Sequence, residues 1–156
     1  MTSPYSNRPS RSFWWPAVAD RHIADFEEVA IGPFFREDDR VATAGSCFAQ
    51  HIGRHLRKRG VDYLDLEPAP PGFSPEEAHR HGFGIFSCRY GNVYTVRQLL
   101  QLFLEAFDQR VPAEFVWEKA GRYYDALRPG VDPVGHISAA DVWALREVHL
   151  AKVKEL

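Results

Sequence analysis

Between residues 46 and 59 an apolar side chain returns every fourth position. Phe48, Ile52 and Leu56 form one stripe, and this spacing predicts an amphipathic helix with that stripe turned inward. Arg57, Lys58 and Arg59 crowd its last turn, where the helix dipole favours cations, and Gly60 supplies the C-cap. The run before it, residues 40–45, carries Val41-Ala42-Thr43-Ala44 into Gly45 and reads as a short buried strand. Residues 61–66, "VDYLDL", read as a second strand, and the Pro-rich loop that follows enters a short helix near Pro75. A longer helix is predicted from Val96 to Phe107, with Thr95 as N-cap and Leu99, Leu100, Phe103, Leu104 and Phe107 as its core face. "FVWEKAGRYYDAL" reads as a β-hairpin with Gly121 in the turn. Ser138, with Asp141 three positions on, opens a final helix carrying Val142, Leu145, Val148 and Val153.

Residues 1–38 show no such periodicity. Turn formers mixed with Phe13, Trp14 and Trp15 predict an irregular N-terminal arm that wraps and anchors on the body. The remaining 39–156 read as an α/β domain. Its final helix carries no stop signal up to Leu156, and two strands are fewer than a doubly wound sheet needs. The expectation is therefore the front portion of a larger domain.

Composition narrows the classes. Hydrophobic residues make up 45% and charged residues 26%, the balance of an ordinary globular protein. A net charge of −2 lacks the basic excess that nucleic-acid or membrane-surface partners require, so neither is expected. There is no signal-like apolar segment near the N-terminus and no run approaching ~20 apolar residues. Two cysteines, Cys47 and Cys88, without a CxxC, fit reduced thiols and a cytoplasmic location. A metal site would need four ligands to converge, and only Cys47 and His51 stand at suggestive helical spacing, so neither metal nor cofactor is expected.

The candidate chemistry lies at the first strand–helix junction. Ligands in open α/β sheets bind beyond the carboxyl ends of strands, and helix starts offer unpaired N–H groups to an anion. A cysteine placed there has its thiolate stabilised. Gly45-Ser46-Cys47 thus has the form of a nucleophile platform, or else of a tight packing turn in which the Ser46 hydroxyl caps the helix. His51, four residues after Cys47, shares its helix face and is the auxiliary candidate. His79 and His81 flank a Gly-rich loop within reach of such a site, and His149 is assigned to the open face of the last helix.

The pentapeptide Gly45-Ser46-Cys47-Phe48-Ala49 resembles the signature of the GSCFA family, with "EPAPPG", "YGNVYTVRQLLQL" and "WEKAGRYYDALRP" following in order. That family resembles the SGNH (GDSL-like) hydrolases. The resemblance implies a three-layer α/β/α, flavodoxin-like parallel sheet and acyl-ester hydrolysis or acyl transfer, with a small-molecule or carbohydrate acyl substrate. Matching Gly45-Ser46-Cys47 to the Gly-Asp-Ser turn of those enzymes sets Cys47 in the nucleophile's place, with Ser46 as the alternative. It also implies oxyanion donors at Gly91 or Asn92 and a histidine base beyond Leu156. The rival reading is a non-catalytic binding or interaction module, or an inactive fragment, whose turn serves only packing or anion binding.

Overall fold

In the computed structural model, which describes residues 5–22, 25, 36 and 38–156, the chain divides into two units, residues 1–37 and 38–156. The rest of the predicted arm lies outside the described residues. Within the first unit a 3-10 turn over Ser10–Ser12 is followed by a π-helical turn over Trp15–Ala19, which Pro16 enters near its start. The backbone bonds Phe13 O to Ala17 N–H at 3.0 Å and Trp15 O to Asp20 N–H at 3.0 Å.

The second unit holds four α-helices and one hairpin: α1 (Cys47–Lys58), α2 (Pro75–Arg80), α3 (Val96–Ala106), β1 (Val116–Lys119), β2 (Arg122–Asp125) and α4 (Ala139–Lys154). Local chemistry sets their starts. Thr95 Oγ1 accepts from Gln98 N–H at 3.1 Å, and Ser74/Glu77 and Ser138/Asp141 each close a reciprocal capping box. β1 and β2 pair antiparallel with Lys119 opposite Arg122. The loop is therefore two residues long. Ala120 and Gly121 both take positive φ, 53° and 71°, the type I′ turn whose twist matches the strands.

The fold is mixed α and β. Its regular sheet is this antiparallel hairpin, and the two strands expected at 40–45 and 61–66 meet in a single parallel bridge, Val41 with Tyr63. A side chain interrupts the ladder beyond that bridge. Ser87 Oγ accepts from Thr43 N–H at 2.9 Å, and Ser87 N–H donates to Thr43 O at 3.2 Å. On its other side Ser87 O accepts from Leu66 N–H at 2.9 Å. Residues 86–90 thus lie between the two extended segments, all five buried although they form no helix or strand.

Phe86, Cys88, Tyr90, Val93, Ala106 and Val153 are the core, with Leu99, Leu102 and Phe103 of α3 packed against it. α4 packs on α3 and on β2. Three predicted helix faces are corrected. On α3, Leu100 and Phe107 are exposed, and the buried positions are Glu105 and Ala106. On α1, Phe48 and Ile52 are 75% and 49% exposed, and the buried position is Gly53. A Cβ there would lie 3.2 Å from Tyr63 Oη, so α1 is seated by a small residue and not by its apolar stripe. On α4 the buried positions are Val142, Arg146, His149 and Val153, while Leu145 and Val148 face outward. Two polar side chains occupy that face because each finds a carboxylate on another element.

Ala120 carries a Cβ in the left-handed region, where asparagine or glycine is preferred. Ala120→Asn is expected to stabilise the protein by roughly 0.5–1 kcal/mol, read as a raised urea midpoint at unchanged slope. An unchanged or lower midpoint would show that the turn is not strained.

Candidate functional site

Gly45, Ser46 and Cys47 stand where the first extended segment turns into α1. The turn is tight. A Cβ on Gly45 would lie 2.7 Å from Ala49 Cβ, closer than side-chain carbons approach, so the first and fifth residues of the pentapeptide pack against each other. Ser46 occupies the N-cap position with an extended backbone, and its carbonyl accepts from Ala49 N–H at 2.9 Å. Its side chain makes no cap bond, against the expectation of a capping hydroxyl, so the hydroxyl takes up none of the N–H groups of the first turn. Cys47 is the first helical residue and its thiol is exposed.

Gly45 O accepts from Val93 N–H at 2.8 Å, which joins the Gly-Ser-Cys turn to the Gly91-Asn92 turn. Gly91 takes a φ of 68°, and Asn92 O accepts from Gln98 Nε2 at 3.1 Å, fixing this turn to the start of α3. A groove of about 510 Å³ opens here, lined among others by Gln50, His79, Gly91, Asn92 and Arg128. Gln50 belongs to the first turn of α1, so the helix start borders the groove, while Ser46 and Cys47 themselves stand outside its lining.

The histidines are distributed differently from the sequence reading. His51 is exposed and accepts a hydrogen bond from Arg54 Nη2 at 3.0 Å through Nδ1; it is not among the groove residues. His81 Nδ1 lies 3.1 Å from Asp132 Oδ1, a carboxylate shared with Arg89 Nη2 at 2.9 Å. His149, assigned to the open face of α4, is instead wholly buried, with Nδ1 2.7 Å from Glu67 Oε2. The sequence held a signal for this: His149 falls seven positions after Val142 and four before Val153, on their stripe.

Burial pushes His149 below the ordinary imidazole range, outweighing the hydrogen bond to Glu67, with Arg128 and Arg146 adding to the depression. Burial also opposes ionisation of Glu67. There, hydrogen bonds from His149 and from the Arg89 backbone outweigh it and hold the carboxyl below its usual value. Cys88, 2% exposed, has its thiol pushed up to about 12 by burial and by the nearby Glu67 and Asp65 carboxylates. Among the described residues no group of three or more His, Cys, Asp or Glu is placed to hold a metal ion, and no helix is long and apolar enough to cross a membrane.

Residues 40–156 match the model of the GSCFA family, which takes in the pentapeptide, the groove and the Glu67–His149 pair. No curated protein and no solved structure matches the chain.

Alkylation of the folded protein is expected to modify Cys47 more than about tenfold faster than Cys88 between pH 6 and 8, because one thiol is exposed and the other buried and protonated. Comparable rates, read by peptide mass mapping, would contradict the burial of Cys88. Stability is expected to fall from pH 7 to pH 5. The unfolded chain takes up a proton on His149 near pH 6.5 while the folded chain resists it, so unfolding gains ground as pH drops through that value. Glu67 adds to the loss below about pH 4.5, where its unfolded carboxyl protonates first. His149→Gln should lower the urea midpoint at pH 7 and flatten the fall between pH 7 and 5. An equally steep fall in the variant would assign the effect to other groups.

Proposed function

We propose that this chain, which belongs to the GSCFA family, contributes to acyl-ester hydrolysis or acyl transfer, with Cys47 as nucleophile and a small-molecule or carbohydrate ester as substrate. One observation supports the reading most. The Gly45–Val93 hydrogen bond clasps an uncapped helix start, bearing an exposed thiol, to the Gly91-Asn92 turn beside a groove of substrate size. In the proposed step the Cys47 sulfur attacks the ester carbonyl carbon and the carbonyl electron pair moves onto oxygen. The free N–H groups at the start of α1, with those of Gly91 or Asn92, hold that oxyanion. Collapse reforms the carbonyl and breaks the ester C–O bond, while the base returns to the departing alkoxide the proton it took from the thiol. Water or an acceptor hydroxyl then cleaves the thioester left behind and frees the thiol.

The finer fold reading belongs to the same proposal. A layered α/β/α arrangement of SGNH type is supported by the parallel Val41–Tyr63 bridge and by the delivery of the turn from the end of an extended segment into a helix. In that arrangement the base is a histidine from outside the pentapeptide helix, since His51 is engaged with Arg54. A binding module is the second reading, favoured by Phe48 and Ile52, two exposed apolar side chains on the helix that carries Cys47.

Cys47→Ala is expected to reduce hydrolysis of a small activated ester to the uncatalysed rate. Ser46→Ala should retain activity and change stability by less than about 0.5 kcal/mol, since its hydroxyl makes no cap bond. Loss in Ser46→Ala with Cys47→Ala intact would make Ser46 the nucleophile. Rates no higher than the uncatalysed reaction in all three proteins, the unsubstituted one included, would favour the binding module.

A further inference from the structure

Between α3 and α4 lies a second, smaller cavity of about 100 Å³, which neither Cys47 nor Ser46 borders. The guanidinium groups of Arg110, Arg128 and Arg146 line it together with the Glu105 carboxylate. Arg146 bonds Glu105 through Nε and Nη2 and Asp125 through Nη1, and Arg128 Nε bonds Asp125 at 2.8 Å. Both carboxylates are thereby consumed by two of the arginines. Arg110 is left over, with no ion pair and no side-chain hydrogen bond to any described residue. Asp108, two positions before it, is held by Lys154 Nζ at 2.9 Å. Glu67 does not border the cavity, and its carboxylate is spent on His149 and the Arg89 backbone.

The rest of the wall narrows the ligand. Gln98 is engaged at both ends of its amide, by Tyr94 N–H and Asn92 O, and Tyr90 Oη donates to Thr43 O. His149 offers no reachable nitrogen, since Nδ1 is on Glu67 and Nε2 is buried. Gln101 keeps its amide free among the described residues, so an uncharged N–H donor accompanies the unmatched guanidinium. Val93, Leu102 and Leu127 supply apolar wall. One uncompensated cation balances a single negative charge and would leave a phosphate dianion half unmet. Its planar fork fits the two oxygens of a carboxylate. A bare inorganic anion gains nothing from apolar side chains, whereas an alkyl tail does. The space is several times what one water needs, which is about 10–15 Å³.

We infer that the cavity is a binding site for a short-chain aliphatic carboxylate, its head on Arg110 and Gln101 and its tail against Val93, Leu102 and Leu127. Tyr90, Gln98, Leu127 and Arg128 border both this cavity and the groove, so the two share a wall. Ester hydrolysis in the groove would release such an acid next to the site. The inference does not rest on that reaction, because Arg110 holds the carboxylate whether or not Cys47 is a nucleophile.

The test is a titration of the full chain with sodium butyrate near neutral pH and at constant ionic strength. It is followed by saturation-transfer NMR of the butyrate methyl and by the Nε–H signal of Arg110 in arginine-labelled protein. Both should report one saturable event, half-maximal on the order of 10 mM for so small a ligand. Acetate, which lacks most of the tail, should bind several-fold more weakly. Butanamide, which has the tail without the charge, should not bind. Arg110→Gln, at a partly exposed residue, should abolish butyrate binding and leave the urea midpoint unchanged. The absence of a saturable butyrate response in the unsubstituted chain overturns the inference. So does an equal shift of Arg110 with sodium chloride, binding of acetate or butanamide as tight as that of butyrate, or butyrate binding that survives Arg110→Gln.

Discussion

One carboxylate oxygen holds the second unit together. Glu67 Oε2 accepts from the Arg89 backbone at 2.6 Å and lies 2.7 Å from His149 Nδ1. Those two bonds tie the end of the second extended segment to the buried stretch 86–90 and to α4. The need arises because this stretch is buried without a sheet ladder on which to spend its polar groups. At Ser87 and Arg89 the backbone groups are met individually. Ser87 pairs with Thr43 and Leu66, Arg89 N–H with Glu67, and Arg89 O with Arg128 Nη1 at 3.0 Å. Loss of one partner therefore strands a buried group, at about 1–3 kcal/mol.

The same logic repeats one turn earlier on α4. Arg146 reaches Glu105 on α3 and Asp125 at the end of β2, and Asp125 also receives Arg128 Nε at 2.8 Å. Buried ion pairs of this kind give little net stability over apolar packing, since desolvation consumes most of their attraction. Their directional geometry does define position. A helix seated by Val142 and Val153 alone has rotational latitude, whereas one seated by Arg146 and His149 has one orientation.

How much of this was legible from the residues depended on the range of each interaction. The caps at Thr95 and Ser138, the short helix near Pro75 and the hairpin at Gly121 are encoded within a few residues, and the structure has them where the sequence placed them. The inward faces of α1 and α4 were misassigned because an apolar stripe marks the buried side only when no polar residue there has a partner. His149 finds its partner 82 residues away, and nothing adjacent announces it. Phe48 and Ile52 are exposed while Gly53 and Ala49, on the neighbouring stripe of the helix, allow the closer approach. At the site, the Gly45–Val93 hydrogen bond brings the Gly-Ser-Cys and Gly91-Asn92 turns together, a contact between residues 48 positions apart that no local pattern encodes, while His51 bonds to Arg54.

The contact between Gly45 and Ala49 bears on how the pentapeptide itself should be understood. Its outer letters record a distance: the first must lack a Cβ so that the fifth, one helical turn on, can close over it. That demand comes from steric fit and is indifferent to whether a thiol sits between them. Glycine and alanine at the ends are thus a fingerprint of how the helix is docked. Only the letters enclosed by them are free to speak for reactivity, and a relative that had exchanged its cysteine for an inert residue would still be obliged to keep the frame.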